Sequence, residues 1–186
     1  MRKNLGAKAI LYPMPVLIIG TYNENGKPNA MNAAWGGISE ETEISICVDD
    51  EHKTAENVVK TGAFTVSIAD ADNVAQCDYV GIVSGNKEPD KIAKTGWTAV
   101  KSEFVNAPLF EELPMALECK LKSYDKETCR MVGEIVNVCA DERILGADGK
   151  VDLEKFVPIT YDPVHHTYRK LGDVVGKAFC DGKKLK

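Results

Sequence analysis

With 186 residues, 44% of them hydrophobic, the chain is long enough to bury a core and has the composition of a globular protein, not a disordered or fibrous one. It carries 28 acidic against 23 basic residues, a formal net charge of −5, which argues against nucleic acid as a main partner because phosphate binding needs a basic face. No stretch approaches the length that crosses a bilayer. The apolar run near the start is broken by Pro13 and Pro15 with no clean small-residue cleavage site behind it, so a cytoplasmic protein without a membrane segment is expected.

Residues 16–22 and 28–34 read as two strands joined at Asn25-Gly26, a pair that supplies the positive φ a tight hairpin needs. The second arm then changes character. Asn29, Ala30, Met31, Asn32, Ala33, Ala34 and Trp35 combine short side chains, which leave the backbone open to a flat ligand, with amides that donate and accept, a composition suited to a heteroaromatic ring. The same residues equally suit an ordinary hairpin whose alanines pack under a helix.

Residues 43–48 and 63–69 are strands with nearly alternating patterns, and 52–62 between them reads as a short helix stopped by Gly62. Where strand passes to helix, His52, Lys53 and Thr54 lie beside exposed amides, a place that collects anions. A phosphate fits there, as does simple capping of the helix by Thr54 or Asp50, and the neighbouring Asp49, Asp50 and Glu51 oppose phosphate unless they point away. A second helix is expected over 71–83. In residues 81–91 the glycines and Ser84 suit a loop beside a ligand, with Lys91 meeting an anion or starting an exposed helix.

Residues 115–124 and 129–140 form a long hairpin tipped by Asp125-Lys126-Glu127, and residues 147–150 mark another turn. In the last run Tyr168 suits stacking on a ring, while Gly172 and Gly176 allow close backbone approach. His165-His166 has no acidic or cysteine ligand at helical spacing and reads as a surface or dimer contact, not a metal site. The six cysteines form neither a CxxC pair nor a zinc knuckle and read as buried, reduced thiols. Rossmann, P-loop, zinc-protease and hydrolase-elbow motifs are all missing. With no linker and no repeat, residues 1–186 are expected to form one mainly β domain, a closed or nearly closed antiparallel barrel with short peripheral helices.

Taken in order, several stretches resemble the flavin reductase-like family, the FMN-binding split barrels that include flavoredoxin. They are Pro13-Met14-Pro15-Val16, Gly26 to Trp35, Lys53 to Asn57 with Gly62-Ala63-Phe64, Ser84-Gly85 with Asp90-Lys91 and Gly96, Leu117-Glu118-Cys119, Val132-Gly133-Glu134-Ile135, Asp148-Gly149, and Tyr168 to Ala178. The resemblance covers nearly the whole chain. It implies a homodimeric split β-barrel that holds FMN non-covalently near the subunit interface. Asn29 to Trp35 would line the isoalloxazine and ribityl chain, and His52, Lys53 and Thr54, supported by Asn57, would hold the phosphate. Ser67 and Ile68 would approach the ring, and Ser84, Lys91 and Tyr168 would complete the pocket. Such a site needs no side chain as acid or base, because flavin carries the hydride chemistry itself. Two activities follow from the resemblance: hydride transfer from NAD(P)H to flavin, or electron carriage between partner proteins without nicotinamide activity.

Overall fold

The computed structural model describes residues 1–185. Along the chain run β1 (Met14–Pro15), β2 (Leu17–Tyr22), β3 (Pro28–Ala33), β4 (Gly36–Glu40), β5 (Glu43–Cys47), α1 (Lys53–Thr61), β6 (Ala63–Ile68), α2 (Val74–Ile82) and α3 (Lys91–Thr95). There follow β7 (Ala99–Lys101), β8 (Pro108–Phe110), β9 (Met115–Asp125), β10 (Arg130–Ala140), β11 (Ile159–Asp162) and β12 (Thr167–Lys170). Seven strands form one antiparallel sheet in the order β3-β2-β6-β9-β10-β5-β4. A second sheet, β1-β11-β12, stands beside it.

The seven-stranded sheet has to curl. Strands β3 and β4 sit at its opposite edges, yet only Ala34 and Trp35 separate them in sequence. Three backbone steps reach at most about 11 Å, whereas seven strands laid flat span roughly 28 Å. The edges therefore swing toward each other into a split barrel, and a Cβ on Gly36 would meet the side chain of Leu17, next to β3, at 3.1 Å. Cys47 N–H donates to Trp35 C=O at 2.7 Å, extending the β4–β5 ladder into the two-residue link.

Two cores follow from this curl. Leu17 and Ile19 face inward with Ile44, Ile46, Phe64, Val66 and Met131, while Val16 and Ile18 on the other face pack with Cys77 and Val80 of α2, Trp97 and Phe110. That double burial explains the unbroken apolar run in β2, since a strand covered on both faces has no polar side to alternate with. The opening hairpin turns through residues 23–27, longer than the tight Asn-Gly turn expected: Gly26 takes a positive φ of 74° but Asn25 does not, and Gly26 N–H closes the turn on Asn23 C=O at 3.0 Å. Helix α1 ends at Gly62 in the left-handed conformation, its N–H returning to Val58 C=O at 2.8 Å.

Differences from the sequence-based expectations have simple causes. Helix α2 begins at Val74, not residue 71, because buried Asp70 accepts from the backbone of Asp72 and Asn73 and holds the preceding turn. Strand β4 escapes the pattern rules: as an edge strand of Gly-Gly-Ile-Ser-Glu it is nearly all exposed. Among the cysteines only Cys77 and Cys119 are buried, while Cys47 and Cys180 are exposed and all six are free. Gly172 meets open space. No helix among the described residues is long and apolar enough to cross a membrane.

The tightest backbone approach tests the packing. A Cβ on Gly133 of β10 would fall inside contact distance of the buried Phe64 ring. Gly133→Ala is expected to lower the stability of the folded state by about 1–3 kcal/mol through overpacking, read as a lower urea midpoint, whereas Gly37→Ala, which meets nothing within 4 Å, leaves it unmoved.

Candidate functional site

Two cavities run together along one side of β3, sharing Asn32, Gly81 and Ile82. The inner one, of about 240 Å³, lies between β3, the start of α1 and the turn after α2. The outer one, of about 350 Å³, opens between β3, α2 and the β11–β12 hairpin.

At the inner end the first turn of α1 is uncapped. His52 occupies the N-cap position in an extended conformation with no side-chain cap, and the first helical bond is Glu56 N–H to His52 C=O. The amide groups of the first turn and the positive end of the helix dipole are thus available to an anion. Thr54 is buried beside them. Its Oγ1 accepts from Asn29 Nδ2 at 3.0 Å, so the hydroxyl keeps its own proton to give. Lys53 reaches Glu56 at 2.9 Å. Of the acidic residues before the helix, Asp49 accepts from Glu51 N–H, and neither Asp49, Asp50 nor Glu51 lines the cavity.

The opposite wall is the end of α2, whose bare carbonyls would repel an anion. Lys91 cancels them. Its buried ammonium donates to Val80 C=O at 3.0 Å and Val83 C=O at 2.8 Å, leaving the third proton for the cavity it lines. Burial lowers its pKa from 10.5 to about 8. The turn after α2 closes on the strand because Gly85 has no side chain: a Cβ there would collide with Asn29 Oδ1. Asn86 Nδ2 ties this turn to Glu51 C=O at 2.9 Å, over the start of α1.

At the outer end Asn32 Nδ2 donates to Cys77 C=O at 3.1 Å, and a Cβ on Gly81 would meet Asn32 Cβ at 2.9 Å, so α2 backbone lies directly on β3. Tyr168 Oη donates to Asp78 Oδ1 at 2.7 Å. Burial and then that carboxylate hold its phenol protonated far above the ordinary range. Tyr161 stands against it, ring centroids 6.1 Å apart.

The structure brings together ten of the residues singled out from sequence: Asn29, Met31, Asn32, His52, Lys53, Thr54, Ser84 and Lys91 around the inner cavity, Ala34 and Tyr168 around the outer. It sends the others elsewhere. Ala30 and Ala33 are buried in the two cores, as alternation along β3 dictates. Asn57 is buried behind the site, its Nδ2 donating to Thr21 Oγ1 at 3.0 Å and its Oδ1 without a partner. Ser67 is buried in β6 with its hydroxyl also unpartnered. Trp35 is exposed on a different groove with Ile38 and Arg130, because the seam between β3 and β4 turns it away. Sequence reasoning did not single out Asp78 or Tyr161 and read His166 as a surface or dimer contact, whereas all three line the outer cavity; the Tyr161–Tyr168 spacing, which pairs them across a hairpin, was the available signal.

Lys91 gives this end of the molecule a pH signature. Its folded pKa lies below the unfolded value, so between about pH 8 and 10.5 the unfolded chain holds a proton that the folded chain has lost. Stability contributed at this position should therefore rise with pH across that window. Denaturant titrations at pH 7.5 and 9.5 are expected to give a gain in wild type that Lys91→Met lacks.

The family model described as the flavin reductase like domain matches residues 9–180 of the chain. The flavoredoxin of Desulfovibrio vulgaris (Miyazaki F) superimposes with a TM-score of 0.93 at 40% sequence identity, covering 98% of this chain and 100% of that one. Flavoredoxin from Methanosarcina acetivorans gives a TM-score of 0.85 at 29% identity, covering 100% and 98%. An uncharacterized protein of Aeropyrum pernix is 27% identical over 172 residues, 86% of this chain, which thus spans only 64% of that relative's length.

Proposed function

The chain belongs to the flavin reductase-like family, and from that premise we propose that it binds FMN non-covalently in the joined cavities and works as a flavin oxidoreductase. The observation that carries the reading is the uncapped start of α1 at one end of a groove whose other end is flat, small-residue backbone and tyrosine. The donor set suits the cofactor. First-turn amides, the Thr54 hydroxyl and the free proton of Lys91 converge where a phosphate would sit, while Gly81 and Gly85 let α2 and the turn after it close onto β3 around that point. When bound, FMN supplies the hydride and electron chemistry. The protein's share is to bind, orient and exclude water: Asn29 fixes Thr54, Lys91 masks the carbonyls of α2, and Tyr168 stays a neutral donor beside Ala34.

On this reading NAD(P)H delivers hydride to the flavin, with the outer cavity leaving a ring face open. A second reading, an electron carrier reduced by a partner protein with little nicotinamide activity, is favoured by the 40% identity to a flavoredoxin. Stopped-flow reduction separates them: rapid bleaching of bound FMN by NADH or NADPH is expected on the first and is absent on the second. We further propose a homodimer, supported by the apolar Trp35 just before edge strand β4 and Ile38 on it, both exposed, and by the wholly exposed Val174, Val175 and Phe179 of the tail.

The phosphate assignment is testable by itself. Thr54→Val removes one charge-assisted hydrogen bond, worth about 1.5–3 kcal/mol, and should raise the FMN dissociation constant by roughly tenfold or more in a fluorescence titration. Affinity for riboflavin, which lacks the phosphate, should stay unchanged. An equal loss for both ligands would remove the phosphate from the start of α1.

A further inference from the structure

Of the six free cysteines, Cys77 and Cys119 are buried, which pushes both thiols up to about 12, and Cys139 donates to Ala116 C=O at 3.6 Å. Cys47 and Cys129 are placed differently, at the end of the β5–β10 ladder. Cys47 is the last residue of β5 and lies exposed opposite Arg130, the first of β10. Cys129 immediately precedes Arg130, and its C=O accepts from Val48 N–H at 2.8 Å. The two cysteines are thus one step off register, a diagonal of about 5–6 Å between Cα atoms, inside the roughly 4.4–6.8 Å over which a disulfide closes. Regular alternation would still send their side chains to opposite faces. Cys129 escapes it, because its φ of 56° lies in the left-handed region. Cys47 Sγ sits 3.9 Å from the C=O of Thr128, in the peptide that enters Cys129. Desolvation, then the Asp49 carboxylate, then Cys47 itself hold the Cys129 thiol above its ordinary pKa.

We propose that Cys47 and Cys129 are a modification site, a dithiol that closes reversibly to an intramolecular disulfide by exchange with a low-molecular-weight disulfide. Cys47 is the point of entry, being exposed and lining the open groove of Trp35 and Arg130. As thiolate it bonds to one sulfur of the small disulfide, whose S–S bond breaks, and the thiolate released takes up the Cys47 proton. The Cys129 sulfur then attacks that of Cys47. The mixed disulfide breaks and the second small thiol leaves with the Cys129 proton. Two protein thiols are oxidised and one small disulfide is reduced to two thiols, so atoms and electrons balance. The new bond fastens a segment that matters. Val48, already held by Cys129 C=O and by Tyr124 Oη, which donates to its C=O at 2.8 Å, begins the stretch 48–52 that runs into the uncapped start of α1. Neither cysteine lines the groove beside β3, so the exchange stands apart from whatever that groove binds.

Oxidised glutathione is the probe. After incubation, peptide mapping of the wild-type protein without reductant is expected to find the segments carrying Cys47 and Cys129 joined within one chain. In Cys180→Ser, which removes the exposed thiol of the tail, titration in denaturant should fall from five thiols to three, and dithiothreitol should restore all five. Cys129→Ser should stop half-way, holding one glutathione on Cys47 because no second thiol resolves it, whereas Cys47→Ser should form no link at Cys129. The oxidised wild type should have the higher urea midpoint, because the bond closes a loop over residues 47–129 in the unfolded chain. Unchanged thiols, a bond from Cys47 to Cys180 or to a second chain, or a lower urea midpoint on oxidation overturns the proposal.

Discussion

The two-residue link between the opposite edges of the main sheet is the constraint on which the molecule turns. Ala34 and Trp35 are too few to cross a flat sheet, so the seven strands must curl, and the curl creates both the inner core and the seam. It also decides the fate of the two linking residues. Ala34 ends up in the groove beside α2, Trp35 on an exposed groove of its own, and neither outcome depends on its own chemistry.

Helices of opposite polarity then meet over the exposed side of β3. The start of α1 offers bare amides and the end of α2 offers bare carbonyls, which left alone would cancel each other as a field for any ligand. The buried Lys91 breaks the tie. By covering the carbonyls of Val80 and Val83 it turns a neutral junction into one that favours negative charge, at the cost of burying an ammonium whose pKa falls to about 8. Lys91, which the sequence leaves between meeting an anion and starting an exposed helix, is thus a buried cation at the wall of the inner cavity.

Much of the fold was legible because it rests on local rules. The turn at Gly26, the glycine stop at Gly62, the long hairpin over residues 115–140 and the strand patterns each follow from steric or periodic signals within a few residues. Candidate residues were legible where a short segment holds them together, as in His52-Lys53-Thr54. Legibility failed where a strand is buried on both faces. Along β3 successive residues face opposite sides, so Ala33 goes to one core and Ala30 to the other, and Asn29, Met31 and Asn32 border the cavity because β3 is an edge strand, a division that depends on what packs above and below.

What the sequence determined by itself was the kind of protein: strands, short helices, a helix start fit for an anion, and a pattern of segments that belongs to one family. Only the tertiary structure decided which residues share a cavity. Asp78, Tyr161, His166 and Tyr168 come together across a sequence separation of 90 residues, and hydrogen bonds such as Tyr168 to Asp78 form only after the β11–β12 hairpin and α2 have packed. Spacing along a chain sets what is near in sequence, whereas a closed sheet sets what is near in space, and a cofactor is held by the second.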